Sequence, residues 1–154
     1  MSFAASLSEI VSQEFPADGP SLAAAVRGHD RYEARMCMSV GEFDAMGLWD
    51  VAGFTSTHAW LQRQGMHSPD AWDMVKLARK LRRLPTTAAA WVDGVLSGGQ
   101  VRIIAGLVID RHMRLFAEHE AELVPTLSDL TLDETRRVMR YWRDMADAIN
   151  PGPN

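Results

Sequence analysis

The sequence predicts an all-α protein: an orthogonal multi-helix bundle of about seven helices, with a long amino-terminal helix and a helix-turn-helix-like core. Three observations predict it. Every long segment carries apolar residues at helical spacing, and none alternates as a half-buried strand would. Helix start signals recur along the chain, two of them complete capping boxes. Hydrophobic residues make up 47% and charged residues 23% of the 154 positions, which suits one helical domain over 1–150 and argues against disorder.

Leu7, Ile10, Val11 and Phe15 mark a short first helix, ended by Pro16 and Gly19-Pro20. A long helix follows from about Ser21 to Leu48, its stripe made by Leu22, Val26, Met36, Val40 and Phe43 and interrupted by His29 and Glu33. Gly47 and Gly53 punctuate its exit. Ser56 has the character of an N-cap for a short helix holding Ala59, Trp60 and Leu61, stopped by Gly65. Ser68-Pro69-Asp70 is a compact start signal: a cap, a proline at the first helical position, and an acid facing the helix dipole. The helix it opens runs to about Arg83, because Pro85 stops it. An alanine-rich helix with Trp91 and Val92 closes near Gly94. Ser97 with Gln100 boxes the next helix, which carries Val101, Ile104 and Val108. Another covers roughly Arg111 to Leu123. Thr131 with Glu134 opens a last helix with Val138, Trp142, Met145 and Ile149 on one side. Residues 151–154 read as a frayed tail or the start of a linker. Trp49, Trp60, Trp72, Trp91 and Trp142 read as core anchors, their exposure left open.

Composition narrows the function classes. No apolar run approaches the ~20 residues that cross a bilayer, and the start lacks the basic region of a secretory signal. Cys37 is the only cysteine, so no internal disulfide forms; a reducing, cytoplasmic compartment is expected, with Cys37 as a small buried hydrophobe. The net charge of -4 argues against a nucleic-acid partner until its distribution is read. From Ser56 to Arg102 seven bases face three acids, a local +4 in a chain whose remainder is -8. A basic island is a local field, and the local field decides what docks.

Two short helices joined by Gly65-Met66-His67-Ser68 match a helix-turn-helix in loop length and glycine (segment about 56–84). On the second, Ala71, Met74, Val75, Ala78 and Leu81 share one arc, while Lys76, Arg79, Lys80 and Arg83 share its neighbour. Such a helix buries one face and offers cations on consecutive turns to a phosphate backbone. Lys76, Arg79, Lys80 and Arg83 are the expected principal contacts to duplex DNA, with Arg63 and Arg102 secondary. The plainer account is a solvated charged face, and Asp70 and Asp73 would repel phosphate.

Other constellations rank lower. His29 with Glu33, and His119 with Glu122, each supply two metal ligands where a structural site wants about four. His112 and His119, two turns apart, are no more specific. No metal, cofactor or catalytic residue is assigned. On the last helix, Arg136, Arg140 and Arg143 line one side. Asp133 four before Arg137, Asp144 four after Arg140 and Asp147 four after Arg143 account for the arginines as intrahelical pairs. The alternative function is dimerisation or scaffolding through the long amino-terminal helix, its polar pair fixing register to give a homodimer.

The succession Gly47-Leu48-Trp49, Gly53-Phe54-Thr55-Ser56-Thr57, Ala59-Trp60-Leu61, Leu77 through Pro85 and Gly94 through Ile104 resembles the actinobacterial 13E12-repeat family, whose shared amino-terminal domain is domain of unknown function 222. The resemblance spans roughly Ser21 to Ile149. It implies a helical domain that precedes a carboxy-terminal HNH endonuclease, with DNA as substrate and a divalent metal as that module's cofactor. Nothing after Ile149 matches the nuclease, so the chain reads as the amino-terminal piece of one or as a member without it. Asp73 and Met74 also stand where the family tends to be basic. The run from Ser68 through Leu84-Pro85 to Gly94-Val95-Leu96-Ser97 and Arg102 is similar to the helix-turn-helix region of ParB-type partition proteins. Both likenesses assign the same helix to nucleic acid.

Overall fold

The computed structural model describes residues 1–153; Asn154, the last residue of the predicted tail, lies outside the described residues. The described residues are all-helical. Helix α1 spans Phe3–Val11, α2 Gly19–Ala45, α3 Leu48–Val51, α4 Thr57–Arg63 and α5 Ser68–Leu81. Then come α6 Pro85–Val92, α7 Gly98–Leu107, a 3-10 turn Asp110–His112, α8 Met113–Thr126 and α9 Leu132–Ile149. Nine α-helices stand among the described residues where about seven were expected. The surplus includes α3, a single turn between two glycines with no periodicity of its own. No helix among the described residues is long and apolar enough to cross a membrane.

Local chemistry sets most ends. Both capping boxes form: Ser97 with Gln100 starts α7, and Thr131 with Glu134 starts α9. Ser56 Oγ accepts from the Ala59 N–H at the start of α4. Asp18 caps α2, accepting from the Ser21 N–H at 2.8 Å, so that helix starts ahead of the predicted Ser21. Gly47, at φ +65°, occupies the left-handed region just past its end, so α2 stops short of Leu48. Further boundaries also need correction. Ser68 is the first residue of α5, with His67 as its N-cap and no side-chain cap bond. Arg83 lies beyond α5, which ends at Leu81 with Arg82 as C-cap. The segment expected to start at Arg111 instead opens as the 3-10 turn, and α8 continues through Pro125 to Thr126.

Helix α2 packs against α5 and α6, α4 against α5, α7 against α9, and α6 against α8. Leu81, Trp91, Ile104, Phe116, Leu127 and Met139 fill the centre. Adjacent residues of α2 staple the α6–α7 turn: Asp30 accepts from the Gly98 N–H at 2.9 Å and from Trp91 Nε1, while Arg31 Nε donates to the Val92 carbonyl at 2.9 Å. An acid meets the start of one helix and a base the end of another, each complementing a helix dipole. A Cβ on Gly98 would lie 2.5 Å from Asp30 Oδ1, so this cap requires glycine. Glu120 of α8, buried, accepts from both the N–H and Oγ1 of Thr87 at 2.8 Å, capping α6 from another helix. Gln100 Nε2 donates to the Leu127 carbonyl and to Thr135 Oγ1, tying α7 to the loop and helix that follow α8.

The stripe expected on α2 is buried only in part. Val40 is buried, Met36 and Phe43 are half-buried, and Leu22 and Val26 are exposed. Of the tryptophans, Trp91 and Trp142 are buried and Trp49 and Trp60 half-buried, but Trp72 is 45% exposed and is no core anchor.

Candidate nucleic-acid interface

The apolar arc of α5 is buried as its spacing requires: Ala71, Met74, Val75, Ala78 and Leu81 all lie in the core. That burial turns the basic arc outward, but it does not leave the arc free. Lys76 is exposed and makes no hydrogen bond or ion pair among the described residues. Arg79 is held by Asp44 of α2, its Nε at 2.9 Å from Oδ2 and its Nη2 at 3.1 Å from Oδ1. The hydrogen bonds from Arg79 pull the Asp44 carboxyl below its ordinary range and raise the guanidinium in turn. Lys80 is half-buried and donates through Nζ to the Ala105 carbonyl at 2.5 Å; burial pushes its ammonium below the usual lysine range. Arg83 stands 3.6 Å from Asp110, with both side chains largely in solvent. An exposed pair of that kind is worth little and is readily exchanged.

Of the secondary candidates, Arg63 is exposed at the end of α4, without a partner among the described residues. Arg102 of α7 pairs with Glu33 of α2 and lies over Trp91, its guanidinium carbon 5.6 Å from the ring centroid. Its side chain nonetheless keeps 48% exposure.

Three of these cations come together. Lys76, Lys80 and Arg102 line one solvent-open groove of about 280 Å³ between α5 and α7, with Asp73 the sole acid in its lining. Arg79 lies outside that lining, and Arg63 is on another helix. Sequence reasoning missed the anchors. Asp44 is 35 residues from Arg79 and Glu33 is 69 from Arg102, and no local spacing announces contacts of that range. It also missed the exposed aromatic at the start of α5, where Trp72 stacks on His58 of α4 with centroids 4.2 Å apart.

Two of the remaining histidines have structural roles. His112 is fully buried, its Nε2 2.7 Å from Asp147, and His119 Nδ1 accepts from Trp142 Nε1. No group of three or more His, Cys, Asp or Glu side chains among the described residues is arranged to hold a metal ion. The pairs expected along α9 form differently. Asp133 meets Arg136, Arg143 meets Asp144, and Asp147 turns away to Arg111 and His112 of the preceding segment. A long-range, partly sheltered partnership outcompetes the solvent-exposed pair at four residues.

A family model described as a domain of unknown function (DUF222) matches residues 21–154. No curated protein and no solved structure matches the chain.

Proposed function

The chain belongs to the DUF222 family, and on that premise we propose that it binds duplex DNA through phosphate contacts at the groove between α5 and α7. The observation that carries this reading is the convergence of Lys76, Lys80 and Arg102, from two helices, on one open groove. Lys76 and Lys80 are one turn apart on α5, so a backbone following the helix meets two cations over about 6 Å. Arg83, just past the helix, extends the row and exchanges Asp110 for a phosphate oxygen at little cost. Arg79 drops from the contact set because both oxygens of Asp44 hold its Nε and Nη2, and Arg63 remains peripheral. The resemblance of this region to the 13E12-repeat family and to ParB-type helix-turn-helix segments supports the same assignment. Cleavage by an HNH module is outside this reading, which concerns the helical domain alone.

A labelled duplex titrated at several salt concentrations tests it. Lys76→Gln and Arg83→Gln, both at exposed positions, should each weaken binding and reduce the salt slope by about one. Arg79→Gln should leave the slope unchanged. Equal slopes for parent, Lys76→Gln and Arg83→Gln would overturn the reading.

A second reading, self-association through the amino-terminal helices, is favoured by one observation. Phe3, Ile10, Val11, Leu22 and Val26 are all exposed, and α1 buries none of its residues. The polar seam expected at His29 and Glu33 does not serve it, because Glu33 faces Arg102 of its own chain. Sedimentation of the parent against Ile10→Asp/Val26→Asp separates the readings: a dimer lost in the variant supports association, and a monomeric parent removes it.

A further inference from the structure

The phosphate groove leaves two features of α5 unexplained: an exposed tryptophan and a carboxylate among cations. Trp72 is 45% exposed on a helix whose apolar side is otherwise buried. It is not loosely held. His58 of α4 stacks on the indole at 4.2 Å and 20°, and the imidazole is itself fixed, its Nε2 lying 3.2 Å from both the carbonyl and Oγ of Ser68. One face of the ring is therefore braced and its orientation preset, the arrangement that makes an aromatic a stacking platform.

Trp72 shares a shallow open depression with Ser68, Pro69, Asp73 and Lys76. Asp73 and Lys76 also line the phosphate groove beside it, so the depression and the groove meet along one edge formed by those two residues. Neither makes a hydrogen bond or ion pair among the described residues, and both are exposed. Across that edge the surface changes character, from an aromatic with a free carboxylate to a groove with three cations. A single nucleotide has the same polarity: a flat base with N–H donors on its edge, then a phosphate. For a purely phosphate-binding surface Asp73 is a defect; for a nucleotide it is a matched acceptor.

We propose that Trp72 stacks an unpaired guanine of the bound DNA, that Asp73 accepts hydrogen bonds from its Watson–Crick edge, and that the adjoining phosphate lies on Lys76. Stacking requires that the base has left its duplex partner, so this site takes single-stranded or locally opened DNA, while a closed duplex keeps only the phosphate contacts of the groove. Guanine follows from the acceptor: its N1–H and N2–H₂ point side by side, as the two oxygens of a carboxylate require. Thymine offers one such donor on that edge and adenine only its exocyclic amine. The proposal rests on the phosphate-groove reading and adds the base to it.

The test uses the full chain and three labelled probes: a short oligothymidylate, the same strand with one central guanine, and the duplex of the latter. Binding is followed by anisotropy, and stacking by tryptophan emission, with Trp72→Phe identifying the contribution of that ring. The guanine strand should bind about tenfold or more tighter than the duplex and quench emission in the parent but not in Trp72→Phe. Trp72→Ala should lose at least about fivefold in affinity for the strand, the lower end of what stacking one base contributes. Asp73→Asn should abolish the preference for guanine over thymine while leaving the strand bound. Free dGMP should need at least tenfold higher concentration for the same quench; equal potency would overturn the strand as the source of the base. Salt-dependent binding that falls in Lys76→Gln, with no quench and no loss in Trp72→Ala, would overturn the base site alone. Absence of binding to any probe would remove the groove reading with it.

Discussion

Individual side chains carry much of the chemistry of this protein through partners far away in sequence. Asp147 is the clearest case. Its carboxyl is drawn below the ordinary range, first by the hydrogen bond with His112 Nε2 and then by that with Arg111. A lowered native value means that its stabilising contribution is complete above the ordinary carboxyl range, about 4, and is lost as pH falls through the lowered value. Asp147→Asn should therefore lower the melting temperature at neutral pH, and its melting temperature should fall less steeply below pH 4 than the parent's. Cys37 gives a sharper expectation. It is fully buried, and burial pushes its thiol up to about 12. At pH 8 the folded protein should be inert to a thiol reagent and should react stoichiometrically in denaturant; rapid native labelling would contradict this. The role of Cys37 as a small hydrophobe was readable in the sequence, since it needs only a position on a helical stripe. The fates of Arg79 and Arg102 were not, because each depends on an acid brought in by tertiary structure.

Helices show the same division between local and distant signals. The two capping boxes, the Ser56 cap and the burial of the α5 apolar arc follow from residues within one or two turns, and the sequence carries them in full. Helix α6 is different. Its N-terminus has no local side-chain cap; the cap is Glu120, from α8, acting on Thr87 at a separation of 33 residues. Glu120→Ala removes a buried acceptor and leaves the Thr87 N–H and hydroxyl unpaired. It should cost on the order of 2–3 kcal/mol by denaturant unfolding. A loss under 0.5 kcal/mol would mean that the contact is dispensable. The ends of α2 and α5 moved for equally physical reasons. Asp18 out-caps the turn that Ser21 was expected to open, and His67 precedes a helix that begins on Ser68 itself.

At the scale of the molecule, the family match begins at residue 21, and the helix preceding it has no fully buried residue. Deleting residues 1–17, which spares the Asp18 cap, should leave a cooperative unfolding transition within about 2 °C of the parent, because no core residue is removed. If the apolar amino-terminal surface mediates association, the same deletion should convert a dimer to a monomer, so both properties are read from one protein. The all-α class was legible because hydrophobic period and start signals agree along the chain. How the helices meet was not legible, since α2 contacts elements dozens of residues away. That is why the basic arc read as continuous in sequence divides in three dimensions: Arg79 is tethered to Asp44, Arg83 faces Asp110, and Lys76 and Lys80 join Arg102 of α7 in one groove.

The staple formed by Asp30 and Arg31 also bears on how the protein is made. Its partners, Val92 and Gly98, lie 61 and 68 residues later. At a synthesis rate of about 5–20 residues per second, some 3–14 s pass between the ribosome adding the staple and adding the groups it holds. Throughout that interval the two charges of the staple lack the groups that answer them in the fold. The nascent chain thus carries both charges open to other partners until residue 98 has been added, and a chaperone acting on it would find its substrate there.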